Sequence, residues 1–515
     1  MKVVTAAEMQ HIDSVTIQEL GIPGEVLMGM AGKAVADHIA GECKWIASVA
    51  VFSGTGNNGG DGFVAAYHLA QHGLRADVFL AGEEGRISET SRVYYDLCRK
   101  SGIAITAVGG ADPIDLDGYD CIVDAILGTG FTGAVRGVAA DIIRSINDSD
   151  AYVVAVDIPS GLGSDGAAPE GEAVMADCTV TIGLPKISLV TYPGKEYAGT
   201  LRVADIGFPR SLTQSDSLTR ELIDEDFFAR NHLREIESEY ASGPDMHKGA
   251  RGHLLIIGGF DGMEGAALLA ASAAFETGAG LVTLLTTGTA RQAVAGRILE
   301  LMTMSLPPEN GDINSAIRTI FESRRWDAVI LGPGLGRSDY SRRVAEAAIE
   351  AAPACGLKKV LIDGDGLFHL AEYMKKAKPD RSVSWIITPH FLEAARLTGG
   401  TVDSIKGDRM KAASGLASEL GCTALLKGPA TIVADGGRSY INTTGNAALA
   451  TAGSGDVLSG IIGAMLLRRL APAHAAACGA WIHGRAAELS SDRNNSEVLK
   501  SSDILPYIRS AKNQM

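Results

Sequence analysis

Residues 443–456 read Thr-Thr-Gly-Asn-Ala-Ala-Leu-Ala-Thr-Ala-Gly-Ser-Gly-Asp and run straight into an apolar helical pattern over 457–467. A loop of small residues that opens a helix presents backbone N–H groups at the positive end of the helix dipole. Gly453, Ser454 and Gly455 are therefore a candidate anion hole. Asp456 stands where the anion would sit, although like charges repel. A carboxylate is useful there if it takes a proton from a hydroxyl that attacks phosphorus. The pattern points to phosphoryl transfer onto an alcohol. Asp is also a favoured N-cap, so Gly-Ser-Gly-Asp alone equally suits a plain helix start. The surrounding residues favour chemistry. Lys427-Gly428-Pro429-Ala430-Thr431 joins the apolar runs 423–426 and 431–434 as a strand–turn–strand. Asp363-Gly-Asp365 and Thr388-Pro389-His390 each follow a strand-like run. Ligands of open α/β sheets bind beyond the carboxyl ends of strands, so these motifs suggest one cleft.

The first half carries a second set. Gly54-Thr-Gly56-Asn57-Asn58-Gly59-Gly60-Asp61-Gly62 follows a strand pattern and opens a helix, with Asp77 about 20 residues on. That spacing fits a dinucleotide fingerprint. The polar Asn57, Asn58 and Asp61 occupy positions where close packing on pyrophosphate is wanted, and Asp77 starts its strand instead of ending it. A P-loop fails too, because no Lys-Ser/Thr follows. Two further loops follow strands: Asp124-Ala-Ile-Leu-Gly128-Thr129-Gly130-Phe131-Thr132-Gly133, and Asp157-Ile-Pro159-Ser160-Gly161. Asn58, Asp124 and Ser160 offer hard oxygen ligands for a cation such as K⁺ or Mg²⁺. The amides of 128–133 suit phosphate, and Asp157 is a candidate general acid or base. Each of these Asp residues, taken singly, also suits a turn or cap.

These loops need sheets behind them. A chain of 515 residues exceeds one typical core. Apolar runs at 49–53, 76–80, 121–124, 153–157 and 179–182 alternate with helical patterns, which predicts a parallel sheet with right-handed crossovers. A second series runs through 253–257, 281–286, 328–331, 360–362, 385–387 and 423–426. Between them, 209–240 is charge-rich and poor in strand pattern, which predicts a solvated helix or connector. The expectation is an α/β protein with domains over 1–215 and 241–515 and a connector over 216–240.

Composition narrows the partners. The net charge of −15 and the few aromatics argue against nucleic acid. Seven scattered cysteines without a Cys-x-x-Cys pair predict free thiols in a reducing compartment. Residues 1–8 lack a signal-peptide core, and the apolar stretches 266–285 and 446–467 contain Glu276, Asp456 and several glycines. A cytoplasmic protein without a membrane span is expected.

Gly-Asn-Asn-Gly-Gly-Asp-Gly (56–62), Asp-Ala-Ile-Leu-Gly-Thr-Gly (124–130), Asp-Ile-Pro-Ser-Gly (157–161) and Leu-Pro-Lys (184–186) make the first half resemble NAD(P)HX epimerase domains. The second half resembles the ribokinase-like NAD(P)HX dehydratases through His247-Lys248-Gly249, Gly332-Pro-Gly334-Leu-Gly336, Asp363-Gly-Asp365, Thr388-Pro-His390, Lys427-Gly428 and 453–456. The resemblance covers nearly the whole chain, in that family's fused order. It implies a Rossmann-like three-layer sandwich followed by a ribokinase-like one. The implied activity is repair of reduced nicotinamide dinucleotides hydrated at the ring. The first domain interconverts R and S epimers. The second dehydrates the S form by phosphorylating the ring hydroxyl, after which phosphate leaves. ADP is favoured as donor over ATP, with Mg²⁺ on its phosphates, and a homo-oligomer is expected.

Carried onto this chain, Asn58, Asp124 and Ser160 would bind K⁺. Asn57, Asn58, Gly59, Gly60, Asp61, residues 128–133 and Asp157 would bind the hydrate for epimerisation. Ala266, Gly336, His390 and Asp456 would contact it for dehydration, with Asp456 as base. Lys427 to Thr431 and Gly455 would contact the nucleotide, and 453–456 would stabilise the transferring phosphoryl group. Two positions depart from the family: Leu392 replaces the glycine of Thr-Pro-His-x-Gly-Glu, and Gly29 follows Leu-Met where Glu or Asn is usual. Other readings are a ribokinase-type kinase of a small alcohol, a nucleotide-binding scaffold and, least supported, an NAD dehydrogenase.

Overall fold

The computed structural model describes residues 1–109, 114–166, 168–234, 251–468, 470–495 and 498–515. The motif at 247–249 and the join expected near 240 lie outside these residues. The chain divides into two compact units, Lys2–Arg220 and Glu221–Met515, the latter counted together with Met1.

Among the described residues, the first unit is built on seven parallel strands: β1 (Ser48–Ser53), β2 (Arg75–Leu80), β3 (Ile105–Ala107), β4 (Cys121–Ala125), β5 (Tyr152–Val156), β6 (Cys178–Ile182) and β7 (Thr200–Ala204). Their order in the sheet is β3-β2-β1-β4-β5-β6-β7. The inner strands are almost continuously buried, as a sheet covered by helices on both faces requires. Connections step one way from β1 to β3 and the other way from β4 onward. The crevice of such a sheet opens where that direction reverses, beyond the ends of β1 and β4. Ser53 lies beside Ala125 in register there, so the loops at 54–58 and 126–133 leave the sheet side by side. Helix α1 (Gly24–Glu42) packs on α2 (Asn57–Gln71), which starts at the β1 loop.

The second unit repeats the logic. Its strands are β8 (Arg220–Ile223), β9 (His253–Ile257), β10 (Leu281–Thr286), β11 (Met302–Ser305), β12 (Ala328–Leu331), β13 (Lys359–Ile362), β14 (Ser384–Ile387), β15 (Thr423–Leu426), β16 (Ile432–Asp435) and β17 (Arg438–Asn442). The sheet order is β11-β10-β9-β12-β13-β14-β15-β16-β17-β8. From β11 to β15 it is parallel, whereas β15, β16 and β17 form an antiparallel meander. Alternate residues of β9 bury in opposite layers: Leu254 and Ile256 in one, Leu255 and Ile257 in the other. This makes a three-layer sandwich.

The stretch expected to be a solvated helix or connector holds a helix, but also a strand, and it is anchored to the core. Residues 220–230 form β8 and α3 (Glu225–Arg230), with Asp224 accepting from the Phe227 N–H at 2.8 Å as N-cap. Phe227 and Phe228 are fully buried and meet Tyr440 and Trp481 edge-on. Charge density hid this: two adjacent aromatics anchor an otherwise polar segment to the core. Among the described residues, no helix is long and apolar enough to cross a membrane. All seven cysteines are free thiols, and burial pushes those of Cys98 and Cys422 up to about 12.

Candidate active sites

In the first unit a cavity of about 700 Å³ opens over the ends of β1, β4 and β5. Asn57, Asn58, Asp61, Gly128, Thr129, Gly130, Phe131 and Asp157 line it. Gly59, Gly60, Asp124 and Ser160 are buried outside that lining, and Thr132 and Gly133 are exposed outside it. Gly59 has a packing reason: a Cβ there would lie 1.9 Å from the Gly54 carbonyl oxygen. Asp124 is fully buried and accepts from the Ser160 N–H at 2.7 Å and hydroxyl at 2.5 Å. Burial pushes its carboxyl up to about 6, against these hydrogen bonds. Asn58 donates to the Leu127 carbonyl at 2.9 Å, and the Leu127 N–H donates to Ser160 Oγ at 2.9 Å. The three expected cation ligands therefore meet, from three strand ends.

Asp157 adopts φ +65°, a conformation that a non-glycine residue keeps only where its surroundings hold it. The holder is Lys186, fully buried, whose ammonium donates to Asp157, to Thr181 Oγ1 at 3.1 Å and to the Ile182 carbonyl at 3.0 Å. The Ile182 N–H adds a bond to Asp157 Oδ1 at 2.9 Å. Asp61 lines the same cavity, and burial, then the Asp157 and Asp13 charges, hold its carboxyl well above the usual range. Sequence reasoning quoted Leu-Pro-Lys but gave Lys186 no role. Its signal was available: a lysine inside an apolar segment needs an acidic partner.

The second cleft, about 410 Å³, lies over the ends of β9, β12 and β13. Ala266, on α4 (Glu264–Thr277), and Asp456 line it with Arg337, Asp365 and Glu393. Asp456 is in the first turn of α8 (Ser454–Leu466), which Gly453 opens at φ +87°, a backbone glycine favours. Ser454 is a weaker anion-hole member than expected, since its N–H donates to the Thr451 carbonyl at 3.3 Å. Among the described residues, no carbonyl outside the helix accepts from the first-turn N–H groups of Gly455 and Asp456. A Cβ on Gly455 would lie 3.3 Å from the Lys427 ammonium. That ammonium sits at the end of β15, 2.7 Å from Asp363 Oδ1 and 3.8 Å from Glu393 Oε2. Burial first, then the Asp363 charge, pushes Asp456 up to about 7, against Lys427. The rest of the 427–431 turn is tight: Gly428 packs on the Phe391 ring, Thr431 Oγ1 donates to the Gly428 carbonyl at 2.9 Å, and Ala430 takes φ +51°.

Gly336 and His390 stand outside the cleft lining. The Gly336 N–H donates to Asp365 Oδ2 at 3.0 Å, and its carbonyl is 2.8 Å from His369 Nε2. His390 caps α7 (Phe391–Thr398): its Nδ1 accepts from the N–H groups of Leu392 and Glu393, and Glu393 returns a bond to the His390 N–H at 2.8 Å. These acceptor bonds place the imidazole proton on Nε2. Leu392 is an exposed helical residue within this box, so the missing glycine costs the loop nothing. Leu392→Gly is expected to lower stability by about 0.5–1 kcal/mol and to leave dehydration unchanged, checked by urea unfolding and initial rates. Gly29 is explained too, because the Tyr94 hydroxyl lies 2.5 Å from where its Cβ would be and donates to the Glu25 carbonyl at 2.7 Å.

Comparison with known proteins matches each site to a family. A family model described as NAD(P)H-hydrate dehydratase matches residues 254–509, and one described as YjeF-related protein N-terminus matches 24–188. The bifunctional NAD(P)H-hydrate repair enzyme of Moorella thermoacetica is 38% identical over 520 residues, covering 99% of this chain and 96% of that protein. That of Escherichia coli is 33% identical over 461 residues, covering 89% and 84%. A solved ADP/ATP-dependent NAD(P)H-hydrate dehydratase from Bacillus subtilis, co-crystallised with ATP/Mg²⁺, is 29% identical over 53% of this chain and 95% of its own, with a TM-score of 0.45. Similarity to such relatives from end to end, across both sheets and both strand-end clefts, means that this chain belongs to the family of bifunctional NAD(P)H-hydrate repair enzymes.

Proposed function

We infer that this chain repairs hydrated NADH and NADPH, the first unit interconverting the R and S hydrates and the second dehydrating the S form with ADP or ATP as phosphoryl donor. One observation carries the second step: Asp456, a carboxylate pushed up to about 7, stands among the N–H groups of a helix first turn, with the Lys427 ammonium beneath that turn. A base poised near neutral pH can take the ring hydroxyl's proton as its oxygen attacks the terminal phosphoryl group. Lys427 and the first-turn amides face the charge that develops on the transferring group. The C–O bond to phosphate then breaks and the neighbouring ring carbon gives up a proton to solvent, which restores the ring double bond of the reduced nicotinamide. Mg²⁺ on the nucleotide phosphates would neutralise charge.

In the first unit, Asp157 beside the Lys186 ammonium, and Asp61, whose buried carboxyl holds its proton more tightly than usual, give the cavity a candidate base and a candidate acid. That pairing suits reversible proton transfer at a hydrated ring. Asn58, Asp124, Ser160 and the Leu127 carbonyl fit a monovalent cation by donor type, all being hard oxygens from converging loops. K⁺ would brace these loops and compensate the buried Asp124. K⁺ at ten times its Kd is expected to stabilise the protein by about 1.4 kcal/mol, read as a higher Tm than in tetramethylammonium at equal ionic strength. An equal Tm in both salts would remove the cation from the reading. The resemblance also supports a homo-oligomer working in the cytoplasm.

The deciding experiment follows reduced-nicotinamide absorbance from an R/S mixture of hydrated NADH with Mg²⁺, K⁺ and ADP or ATP. Recovery beyond the S share, with phosphate released, is expected. No recovery with either nucleotide would overturn the repair reading and favour a ribokinase-type kinase.

A further inference from the structure

We propose that Asp363 is the positioning residue of the second site, holding the Lys427 ammonium against the first turn of α8 and setting a second negative charge beside Asp456. The proposal rests on the phosphoryl-transfer reading above.

Asp363 follows β13 and is 2% exposed. It accepts three hydrogen bonds, each 2.7 Å long: from Lys427 Nζ at the end of β15, from Thr388 Oγ1 beyond β14, and from Ser459 Oγ on α8. One carboxylate thus ties the ends of three strands to the helix that carries Asp456. A Cβ on Gly455 would lie 3.3 Å from Lys427 Nζ and 3.8 Å from Asp363 Oδ2, so the ion pair lies directly beneath the helix start. A lysine is a point charge on a flexible stem, and a fixed partner decides where that charge rests. Burial alone pushes the Asp363 carboxyl up, but Lys427, Ser459 and Thr388 outweigh it and hold the group below the usual range. The ionised form of Asp363 is therefore the favoured one.

That fixed charge acts on Asp456. The other groups facing Asp456 are Lys427, Asp365 on α6 (Asp365–Met374), and Glu393 and Arg337 across the cleft. His483, on α9 (Pro472–Asn494), touches Ser454 in the same turn, and burial pushes it down to about 4, so it is neutral. Burial, Asp363 and Asp365 favour the protonated carboxyl of Asp456, and Lys427 opposes them. Removing the Asp363 charge must make Asp456 more acidic, and removing Lys427 must make it less so.

The test measures kcat/KM for dehydration against pH in the full-length chain, with urea unfolding of each variant as the folding control. Asp363→Asn is expected to move the acidic limb down by about one pH unit and to raise the nucleotide KM about tenfold. Lys427→Met is expected to move the limb up. Thr388→Val removes a hydrogen bond from the same carboxylate without changing charge, and its limb should stay in place. An active Asp363→Asn enzyme with an unmoved limb, or an equal shift in Thr388→Val, would overturn the proposal. Should Asp363→Asn fail to fold, Lys427→Met decides, and an unmoved or lowered limb sinks the idea. Absence of NAD(P)H recovery by the unaltered chain would instead remove the reading beneath it.

Discussion

Replacing Asp456 with asparagine is expected to lower the rate of dehydration by about 10²–10⁴-fold while epimerisation continues. The side chain keeps its shape and its place in the first turn of α8, so packing there is little disturbed. What is lost is the group that takes the proton from the attacking hydroxyl. Binding of nucleotide should persist, since Lys427 and the first-turn amides remain. The pH profile carries the same argument in the unaltered enzyme. Asp456 titrates at about 7, chiefly because of burial and next because of Asp363, and the base is its ionised form. Below 7, kcat/KM for dehydration should climb about tenfold per pH unit, and above 7 it should level. Initial rates on the S hydrate between pH 5 and 9 check both parts. A flat profile, or an asparagine variant with near-normal kcat, would return Asp456 to the role of a helix cap.

The stability of that variant separates the two roles further. The folded pKa of about 7 lies above the unfolded value of about 3.9, so the folded state holds the proton more tightly. Relative stability is therefore lost as pH rises from about 4 to about 7 and stays lost above. Asparagine carries no charge and escapes this deficit. At pH 8 the variant should melt above the unaltered chain, whereas a residue kept for capping would make it melt below.

Where strands end in polar loops, the sequence told most. The inner strands of both sheets, the strand–turn–strand around Lys427 and the helix after Gly453 were legible because their apolar runs are long and their turns carry glycine. Edge elements were not. β7 reads Thr-Leu-Arg-Val-Ala and is mostly solvent-facing, so its alternation is weak. β11 is four half-buried or exposed residues, and β3 only three. β8 and α3 were masked by charge, although Phe227 and Phe228 bury completely. Within the sites, residues that touch through loops could be named from motif spacing. Partnerships across the fold could not. No spacing links Asp363 to Ser459, or Asp157 to Lys186, because each contact closes only when elements distant in sequence come together. His390 shows another limit: its motif suggested contact with the hydrate, and no spacing told that its Nδ1 would cap α7.

Lys186→Met should be the most damaging single change in the first unit. The ammonium is fully buried, and its three bonds go to Asp157, Thr181 and Ile182. Methionine fills similar volume but leaves Asp157 beside Asp61 and Asp13 without the charge that offsets them. Breaking a buried pair from one side typically costs about 3–5 kcal/mol, since the remaining charge is stranded. Asp157 would also lose the contact that holds its positive φ, so epimerisation should disappear as well. The double variant Lys186→Met with Asp157→Asn decides between charge and packing. With both charges gone, most of the lost stability should return, while epimerisation stays absent because the base is missing. Urea unfolding gives the first quantity, and chromatographic separation of the R and S hydrates gives the second. If the double variant is no more stable than Lys186→Met alone, the lysine acts there through its aliphatic stem, and the ion pair is incidental to the fold.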